Sequence, residues 1–314
     1  MLATVLMMMT IPTSIGADKT PAEKYKNHAP IEIYPEGNIP YLAEGETITP
    51  AIRPYIEDNN PDGRAMIVFP GGGYNHHFSG EGANIAKLYN SAGNTSFVVD
   101  YRLGTLGQAN GITPRPEPTN DYHAILSDGI RAVKYVRANA EEFGIDPDKI
   151  AVIGFSAGGH LCTMLSTHFD FAIDAPEYVP DVIDEVSARP DATVLSYPVV
   201  TLLEPYTHDY TAKAFTHGDK ELAQRFSGEL SVTDKTSPIF MWHRRTDPTA
   251  PPQNSIQLAL ALQENNIPYE LHVFAKGNYG HGGAINSYDE IETDPSGKWF
   301  ELSLAFLDGV LTEE

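Results

Sequence analysis

Cysteine is almost absent from this chain of 314 residues: Cys162 is the only one, so no internal disulfide can form. Basic residues are also scarce, since 21 lysines and arginines stand against 42 aspartates and glutamates, a formal charge of −21 at pH 7. So acidic a chain repels nucleic acid and anionic membranes, and neither is expected as a partner. No apolar run reaches the roughly 18 residues of a membrane-spanning helix, so stable membrane association is not expected either.

The first 17 residues carry no charge and are mostly apolar. Their length, and the small residues Ser14, Gly16 and Ala17, are typical of the core and cleavage site of a secretory signal. The basic residues that usually precede such a core are missing. Export to the medium or the cell surface is therefore the expectation, with a frayed apolar terminus on a cytoplasmic protein as the alternative.

Predicted strands and helices alternate along residues 31–314, after a polar linker over residues 18–30. Apolar runs predict strands over 65–69, 96–101, 150–153, 192–197, 238–243 and 269–274, and helical periodicity predicts helices over 84–90, 122–143 and 255–265. This alternation predicts a single α/β domain with a mainly parallel central sheet, covered by helices on both faces. Residues 201–237, with a short helix over 220–226, are predicted to be an insertion near the active site, and residues 104–120 a loop at the rim of a pocket.

A serine lies in a G-x-S-x-G turn, Gly154-Phe155-Ser156-Ala157-Gly158, between a predicted strand and a predicted helix. The sharp corner projects the serine hydroxyl away from the backbone, and the two glycines are needed because a Cβ would collide across the turn. Ser156 is therefore the candidate nucleophile. Because a serine hydroxyl is a poor nucleophile at neutral pH, it needs a base and an acid that orients the base.

The orienting acid is expected in a loop beyond the carboxyl end of a late strand, before the histidine in chain order. Asp247 meets this condition because it follows the predicted strand over 238–243 within four residues. Its competitors lie in the predicted insertion, with no strand leading to them: Asp209, Asp219 and Asp234. The alternative role for Asp247 is an ion pair with Arg244 or Arg245.

Eleven histidines compete for the role of base. His281 follows the last predicted strand, and its neighbouring glycines would let the imidazole approach Ser156 without steric conflict. His272 lies within that strand, where packing or a local hydrogen bond is expected. His160, on the helix after Ser156, is expected to be a buried histidine with its hydrogen bonds satisfied. His281 is therefore the predicted base.

Three consecutive glycines, Gly71-Gly72-Gly73, follow the strand over 65–69. Backbone N–H groups of such a loop can approach a developing oxyanion, because no side chains obstruct them. Together with the N–H of Ala157, this loop would hold a tetrahedral intermediate. The rival use, binding phosphate, would need the lysine and hydroxyl residue of G-x-x-x-x-G-K-[ST], which do not follow these glycines.

With these motifs the chain resembles the α/β-hydrolases, and among them the esterases of the hormone-sensitive-lipase type. It is most similar to the bacterial carbohydrate acetyl esterase and feruloyl esterase group. The resemblance spans about residue 31 to the C-terminus, and the residues that carry it are 69–74, Glu81-Gly82, 100–103, 154–161, 251–255 and 270–274. The site residues that it implies are Ser156 as nucleophile, Asp247 as acid, His281 as base, and Gly72, Gly73 and Ala157 as oxyanion donors. This chemistry requires no metal and no organic cofactor.

The predicted function is that of a serine esterase that forms an acyl-enzyme from short acyl esters, chiefly acetyl, on plant-polysaccharide sugars such as xylan. Tyr74, His76 and His77, beside the glycine loop, are the candidate substrate-binding residues, although the same side chains could simply pack the loop. One alternative is a general carboxylesterase for small lipophilic esters. Another is a serine peptidase of the prolyl-oligopeptidase type, for whose propeller the residues before Ser156 are too few. An inactive binding protein is disfavoured because no member of the site is missing.

Overall fold

The computed structural model describes residues 20–109, 114–275, 281–282 and 293–312. Its centre is an eight-stranded sheet with the strand order β1-β2-β4-β3-β5-β6-β7-β8. The strands are β1 (Ile31–Glu32), β2 (Ala51–Tyr55), β3 (Ala65–Phe69), β4 (Thr95–Asp100), β5 (Ile150–Phe155), β6 (Ala192–Ser196), β7 (Ile239–Arg244) and β8 (Tyr269–Phe274). The signal-like residues 1–17 lie outside the described part of the chain.

Among the described strands, β3 to β8 pair in parallel, whereas β1 pairs antiparallel with β2 and β2 pairs antiparallel with β4, at one edge of the sheet. The predicted mainly parallel sheet is therefore confirmed. Strands β3 and β5 are buried along their whole length, as their unbroken apolar sequences indicated. The parallel register brings the carboxyl ends of β5, β6 and β7 to one edge, where the loops that follow them meet.

Helices cover both faces of the sheet. They are α1 (Pro21–Tyr25), α2 (Ala83–Ser91), α3 (Tyr122–Ala138), α4 (Ala140–Phe143), α5 (Ala157–Thr167), α6 (Asp209–Thr216), α7 (Lys220–Arg225), α8 (Gln253–Glu264) and α9 (Trp299–Val310). One core packs α3, α5 and α8 against one face of the sheet, and a second core packs α2 and α9 against the other. Neighbouring strand residues alternate between the two cores, as Met66 and Ile67 do. This layered arrangement is that of an α/β-hydrolase.

The helices differ from the sequence expectation in four places, one of which is α9 (Trp299–Val310), a helix that was not predicted. The helix expected over 122–143 is divided at Asn139 into α3 and α4. The polar segment 18–30 contains α1, whose start is a capping box between Thr20 and Glu23. The segment 201–237 contains α6 in addition to the expected helix, which is α7. No helix of the described residues is long and apolar enough to cross a membrane.

A buried ion pair joins the residue that follows β4 to helix α3. Arg102 donates from Nε and Nη2 to the carboxylate of Asp128, and both side chains have no exposed surface. The Nη1 of Arg102 also donates to the carbonyl oxygens of Pro40 and Tyr41. Because the charges are paired and hydrogen-bonded, the pair fixes three segments of the chain against one another.

Candidate active site

Ser156 occupies a strained corner between β5 and α5, with φ 51° and ψ −115°. Its N–H donates to the carbonyl oxygen of Ser196, while its own carbonyl accepts from the N–H groups of His160 and Val199 at 3.1 and 3.0 Å. A non-glycine residue in such a conformation costs about 1–3 kcal/mol and persists only where its surroundings enforce it. These hydrogen bonds from α5 and from the end of β6 enforce it, and the side chain is 7% exposed.

The glycines of the serine turn are required by direct contacts. A Cβ on Gly154 would lie 2.2 Å from the carbonyl oxygen of Gly158, and one on Gly158 would lie 2.1 Å from that of Phe69. Carbon and oxygen atoms cannot approach so closely, so a side chain at either position would force the backbone apart. The predicted clash across the turn is confirmed for Gly154, whereas Gly158 is required by the close approach of the end of β3.

The structure brings Ser156, His281 and Asp247 together in a hydrogen-bonded series. Nε2 of His281 lies 3.1 Å from Oγ of Ser156, and Nδ1 of His281 lies 2.8 Å from Oδ2 of Asp247. The other oxygen of Asp247 accepts from the N–H groups of Thr249 and Ala250 at 2.8 and 3.0 Å. The carboxylate is thus fixed by its own loop and aimed at the imidazole, which is the geometry that prepares a serine for attack on a carbonyl.

The ion pair considered for Asp247 is not formed with Arg244, whose guanidinium bonds Asp294 at 2.9 Å instead. His160 is fully buried, with its ring nitrogens bonded to the hydroxyl of Tyr74 and the carbonyl of Phe226. His272 hydrogen-bonds locally to Glu270. The expectations for these two histidines are confirmed.

The glycine loop forms a tight turn beside Ser156. Gly72 has φ 120° and Gly73 has φ 64°, in the region that favours glycine, and a Cβ on Gly72 would lie 2.0 Å from the carbonyl oxygen of His76. Within the residues that the structure describes, no acceptor takes the N–H groups of Gly72, Gly73 or Ala157. These three N–H groups are therefore available to bind an oxyanion.

Behind this loop lies a buried carboxylate that the sequence reasoning did not assign a role. Oε2 of Glu81 accepts from the N–H of Gly71 at 2.6 Å, and Oε1 accepts from the hydroxyl of Tyr197 at 2.7 Å. Burial raises the pKa of Glu81 to about 7, although both hydrogen bonds favour its ionised form. The ring of Tyr197 packs edge-on against the imidazole of His281, with 5.1 Å between ring centres.

The structure corrects the substrate-binding role expected for Tyr74. This side chain is fully buried, donates or accepts a hydrogen bond at Nδ1 of His160, and stacks on Phe215 at 5.5 Å. It therefore belongs to the core, because its positive φ of 56° turns the chain inward after the glycines. His77 packs on the ring of Tyr101 and shares a hydrogen bond with Gln108, so it anchors the loop, while His76 is half-buried.

Two residues that the sequence reasoning missed border the glycine loop. An atom at the Cβ position of Gly73 would lie 3.3 Å from Cε1 of His208 and 3.8 Å from Nη1 of Arg115. The guanidinium of Arg115 lies over the ring of Tyr210, 4.9 Å from its centre. Burial, reinforced by the charge of Arg115, lowers the pKa of His208 to about 4, so this histidine is neutral at pH 7. Their only sequence signal was their place in the predicted rim loop and the predicted insertion.

The described residues contain no group of three or more His, Cys, Asp or Glu side chains that could hold a metal ion. Ser156 and His281 can transfer a proton from the serine hydroxyl to the imidazole, and the neighbouring N–H groups of the glycine loop and Ala157 can bind a negatively charged oxygen.

Comparison with known proteins identifies similar sequences and folds. The chain is 36% identical over 235 residues to endo-1,4-beta-xylanase B of Butyrivibrio fibrisolvens, and the matched region covers 74% of this chain and 34% of that protein. It is 27% identical over 253 residues to the acetylxylan esterase of Xylanibacter ruminicola, covering 77% of this chain and 46% of that protein. The chain thus spans less than half the length of these two relatives.

A solved structure is similar over nearly its whole length. The acetyl ester-xyloside bifunctional hydrolase from Caldicellulosiruptor lactoaceticus superimposes with a TM-score of 0.77 and 33% identity, covering 90% of this chain and 96% of that one. The family model BD-FAE matches residues 55–262, which include the glycine loop, Ser156 and Asp247. This protein belongs to the BD-FAE family of α/β-hydrolases.

Proposed function

We propose that this protein is a serine esterase that removes short acyl groups, chiefly acetyl, from xylan-type sugars through an acyl-enzyme. The observation that carries the proposal is the hydrogen-bonded series from Asp247 through His281 to Ser156, beside N–H groups of a glycine loop that bond no acceptor in the described part of the chain. The names of the similar proteins, a xylanase, an acetylxylan esterase and an acetyl ester-xyloside hydrolase, support an ester of a xylan-type sugar as substrate.

In the first half of the reaction, the proton on Oγ of Ser156 passes to Nε2 of His281 while Oγ bonds to the ester carbonyl carbon. The carbonyl oxygen becomes an oxyanion, which the N–H groups of Gly72, Gly73 and Ala157 stabilise; each such donor is typically worth about 3–4 kcal/mol. The imidazolium is stabilised by Asp247. It then gives its proton to the departing sugar oxygen as the carbon–oxygen bond breaks, which releases the sugar with a free hydroxyl and leaves the acyl group on Ser156.

In the second half, water takes the place of the sugar. His281 accepts a proton from this water while its oxygen bonds to the acyl carbon, and the same N–H groups receive the second oxyanion. Collapse of the intermediate returns the proton from His281 to Oγ of Ser156 and releases acetate. Asp247 keeps the Nδ1 proton of His281 in place throughout, so that Nε2 stays free to exchange the other.

The residues that border the glycine loop support a sugar as the alcohol part of the substrate. Arg115 offers hydrogen-bond donors and neutral His208 a ring nitrogen, a mixture that suits a sugar with many hydroxyl groups. A polysaccharide substrate lies outside the cell, which agrees with the export proposed from the signal-like residues 1–17.

The test compares wild type, Ser156→Ala and a matched control, Ser187→Ala, whose exposed serine precedes β6 at the opposite end of the sheet. Each protein is assayed on p-nitrophenyl acetate, butyrate and octanoate, and for acetate release from acetylated xylan. We expect Ser156→Ala to lose about 10⁴-fold or more of kcat and the control to match wild type. Activity of Ser156→Ala equal to the control would remove Ser156 as nucleophile, and octanoate hydrolysis faster than acetate would favour a general carboxylesterase.

A further inference from the structure

We propose that Glu81 is a positioning residue for the esterase reaction, because its single carboxylate holds both the oxyanion loop and the tyrosine that walls the catalytic histidine. The proposal rests on the function proposed above. Glu81 closes a short 3₁₀ turn, Ser79–Glu81, just before α2, and it is 5% exposed. Among its described contacts it bonds neither Ser156 nor His281, so it would act through other residues.

The first oxygen of Glu81 fixes the start of the oxyanion loop. Gly71 gives its N–H to Oε2 of Glu81, while the carbonyl of Gly71 accepts from the N–H of Phe78 at 3.0 Å. The loop is thereby pressed against the nucleophile, since a Cβ on Gly71 would lie 3.1 Å from Cβ of Ser156. The donor N–H of Gly72 belongs to the next residue, so a shift of Gly71 would move that donor relative to the oxyanion.

The second oxygen of Glu81 fixes Tyr197, whose ring packs against the predicted base, His281. Tyr197 lies directly after β6 with φ 38°, and its hydroxyl donates to Oε1 of Glu81. Its ring packs edge-on against His281 on one side and against Trp242 on another, with 5.1 and 5.2 Å between ring centres. The hydroxyl bond therefore limits how far the tyrosine ring, and with it the imidazole, can turn away from Ser156.

Above its raised pKa of about 7, the ionised carboxylate of Glu81 suits this place better than an uncharged side chain. It only accepts hydrogen bonds, so it satisfies the fixed N–H of Gly71 and the rotatable hydroxyl of Tyr197 together. A glutamine can serve the N–H of Gly71 with its oxygen, but its NH₂ must then face Tyr197, whose hydroxyl has to turn and accept.

The expected effects follow from the lost contacts. The free energy of one hydrogen bond to a charged group corresponds to about a tenfold change in rate. Glu81→Gln and Tyr197→Phe should therefore each lower kcat about tenfold. Glu81→Ala, which loses both bonds and the charge, should lower kcat about 100-fold. KM should stay within about threefold of wild type in all three, because the oxyanion is bound only in the transition state.

The matched control is Tyr89→Phe. Tyr89 is also fully buried, and its hydroxyl bonds Oγ of Ser303 at 2.9 Å, between α2 and α9 and away from the loop. Loss of this hydrogen bond in Tyr89→Phe should lower the melting temperature as Tyr197→Phe does, while kcat remains that of wild type. The comparison separates positioning from mere stability, because only Tyr197 reaches the active site.

The experiment measures kcat and KM on p-nitrophenyl acetate, the melting temperature, and the fraction of active sites titrated by phenylmethanesulfonyl fluoride, for each variant and for Glu81→Gln/Tyr197→Phe. We expect the double variant to lose less kcat than the product of the single losses, because both act through one carboxylate. If kcat of Glu81→Gln and Tyr197→Phe stays within twofold of wild type, or if the losses multiply, the proposal is wrong.

Failure of this proposal is distinguishable from failure of the proposed function. If Ser156→Ala is inactive while Tyr197→Phe has full kcat, only the role of Glu81 is overturned. If Ser156→Ala keeps its activity, the serine mechanism itself is overturned. Should a Glu81 variant fail to fold, Tyr197→Phe still decides the question, since it leaves the carboxylate in place and removes one of its two bonds.

Discussion

Replacement of Asp247 by asparagine should disable the base without disturbing the loop that carries it. Oδ1 of Asp247 accepts from the N–H groups of Thr249 and Ala250. In Asp247→Asn the amide oxygen must take this place, because two donors already face it. The NH₂ group is then turned toward Nδ1 of His281, where Oδ2 of the aspartate accepted a hydrogen bond at 2.8 Å.

This reversal determines the size of the effect. An NH₂ donor at Nδ1 selects the imidazole with its proton on Nε2, and that nitrogen can then no longer accept the proton of Ser156. Holding the histidine in the wrong tautomer typically costs about 10⁴-fold in kcat, or about 5 kcal/mol of transition-state stabilisation. The free energy of unfolding should change by only about 1–2 kcal/mol, because both backbone N–H groups keep an acceptor.

The assay is the initial rate on p-nitrophenyl acetate near pH 7, with urea unfolding of the same preparations. Asp234→Asn is the control, since this exposed aspartate was a competitor for the role of acid in the sequence. We expect the control to retain wild-type kcat. A kcat of Asp247→Asn above one tenth of wild type, in a folded preparation, would refute the assignment of Asp247 and the orientation argument with it.

Three further outcomes are expected. Gly72→Ala should lower kcat at least about 10²-fold in steady-state assays with near-native circular dichroism, since its Cβ would meet the carbonyl of His76 at 2.0 Å and displace the donors. Asp128→Asn should lower the free energy of unfolding in urea by about 3–5 kcal/mol, because it leaves Arg102 charged and buried without its partner. Since the folded-state pKa of Glu81 is raised from 4.5 to about 7, the folded state binds more protons in that window. The contribution of Glu81 to the free energy of unfolding of the protein should therefore fall by about 3 kcal/mol as pH rises from 4.5 to 7. Urea titrations of Glu81→Gln should lack this fall.

Most of the sheet could be predicted because its strands are buried on both faces. Runs such as Met66-Ile67-Val68 have no polar position to confuse with a helix period, and glycines or prolines bound them. The edge strands β1 and β2 were not predicted. β1 has two residues and β2 contains Arg53 and Pro54, and the pairing of β1 with β2 and of β2 with β4 depends on contacts that no local pattern contains.

The site was predictable as far as strand order determines it. Ser156, Asp247 and His281 follow β5, β7 and β8, three parallel strands whose carboxyl ends lie at the same edge of the sheet, so their approach needs only the parallel topology. Tyr74 was assigned wrongly, because position beside a loop does not tell which way a side chain turns. The contact between Glu81 and Tyr197 joins residues 116 positions apart, and no periodicity or spacing links them.

The segment formed by the end of β6 and the residues that follow it has a consequence for how proteins with this site can diverge. This segment supplies the carbonyl oxygen that accepts from the N–H of Ser156, the tyrosine against His281, and the N–H of Val199, which donates to the carbonyl oxygen of Ser156. Substitutions in this segment would change the rate of hydrolysis of every ester alike. His208 and Arg115, by contrast, lie in connecting segments that contain none of these atoms. Exchange of these connecting segments between relatives should therefore change which alcohols are accepted and leave the catalytic steps unchanged.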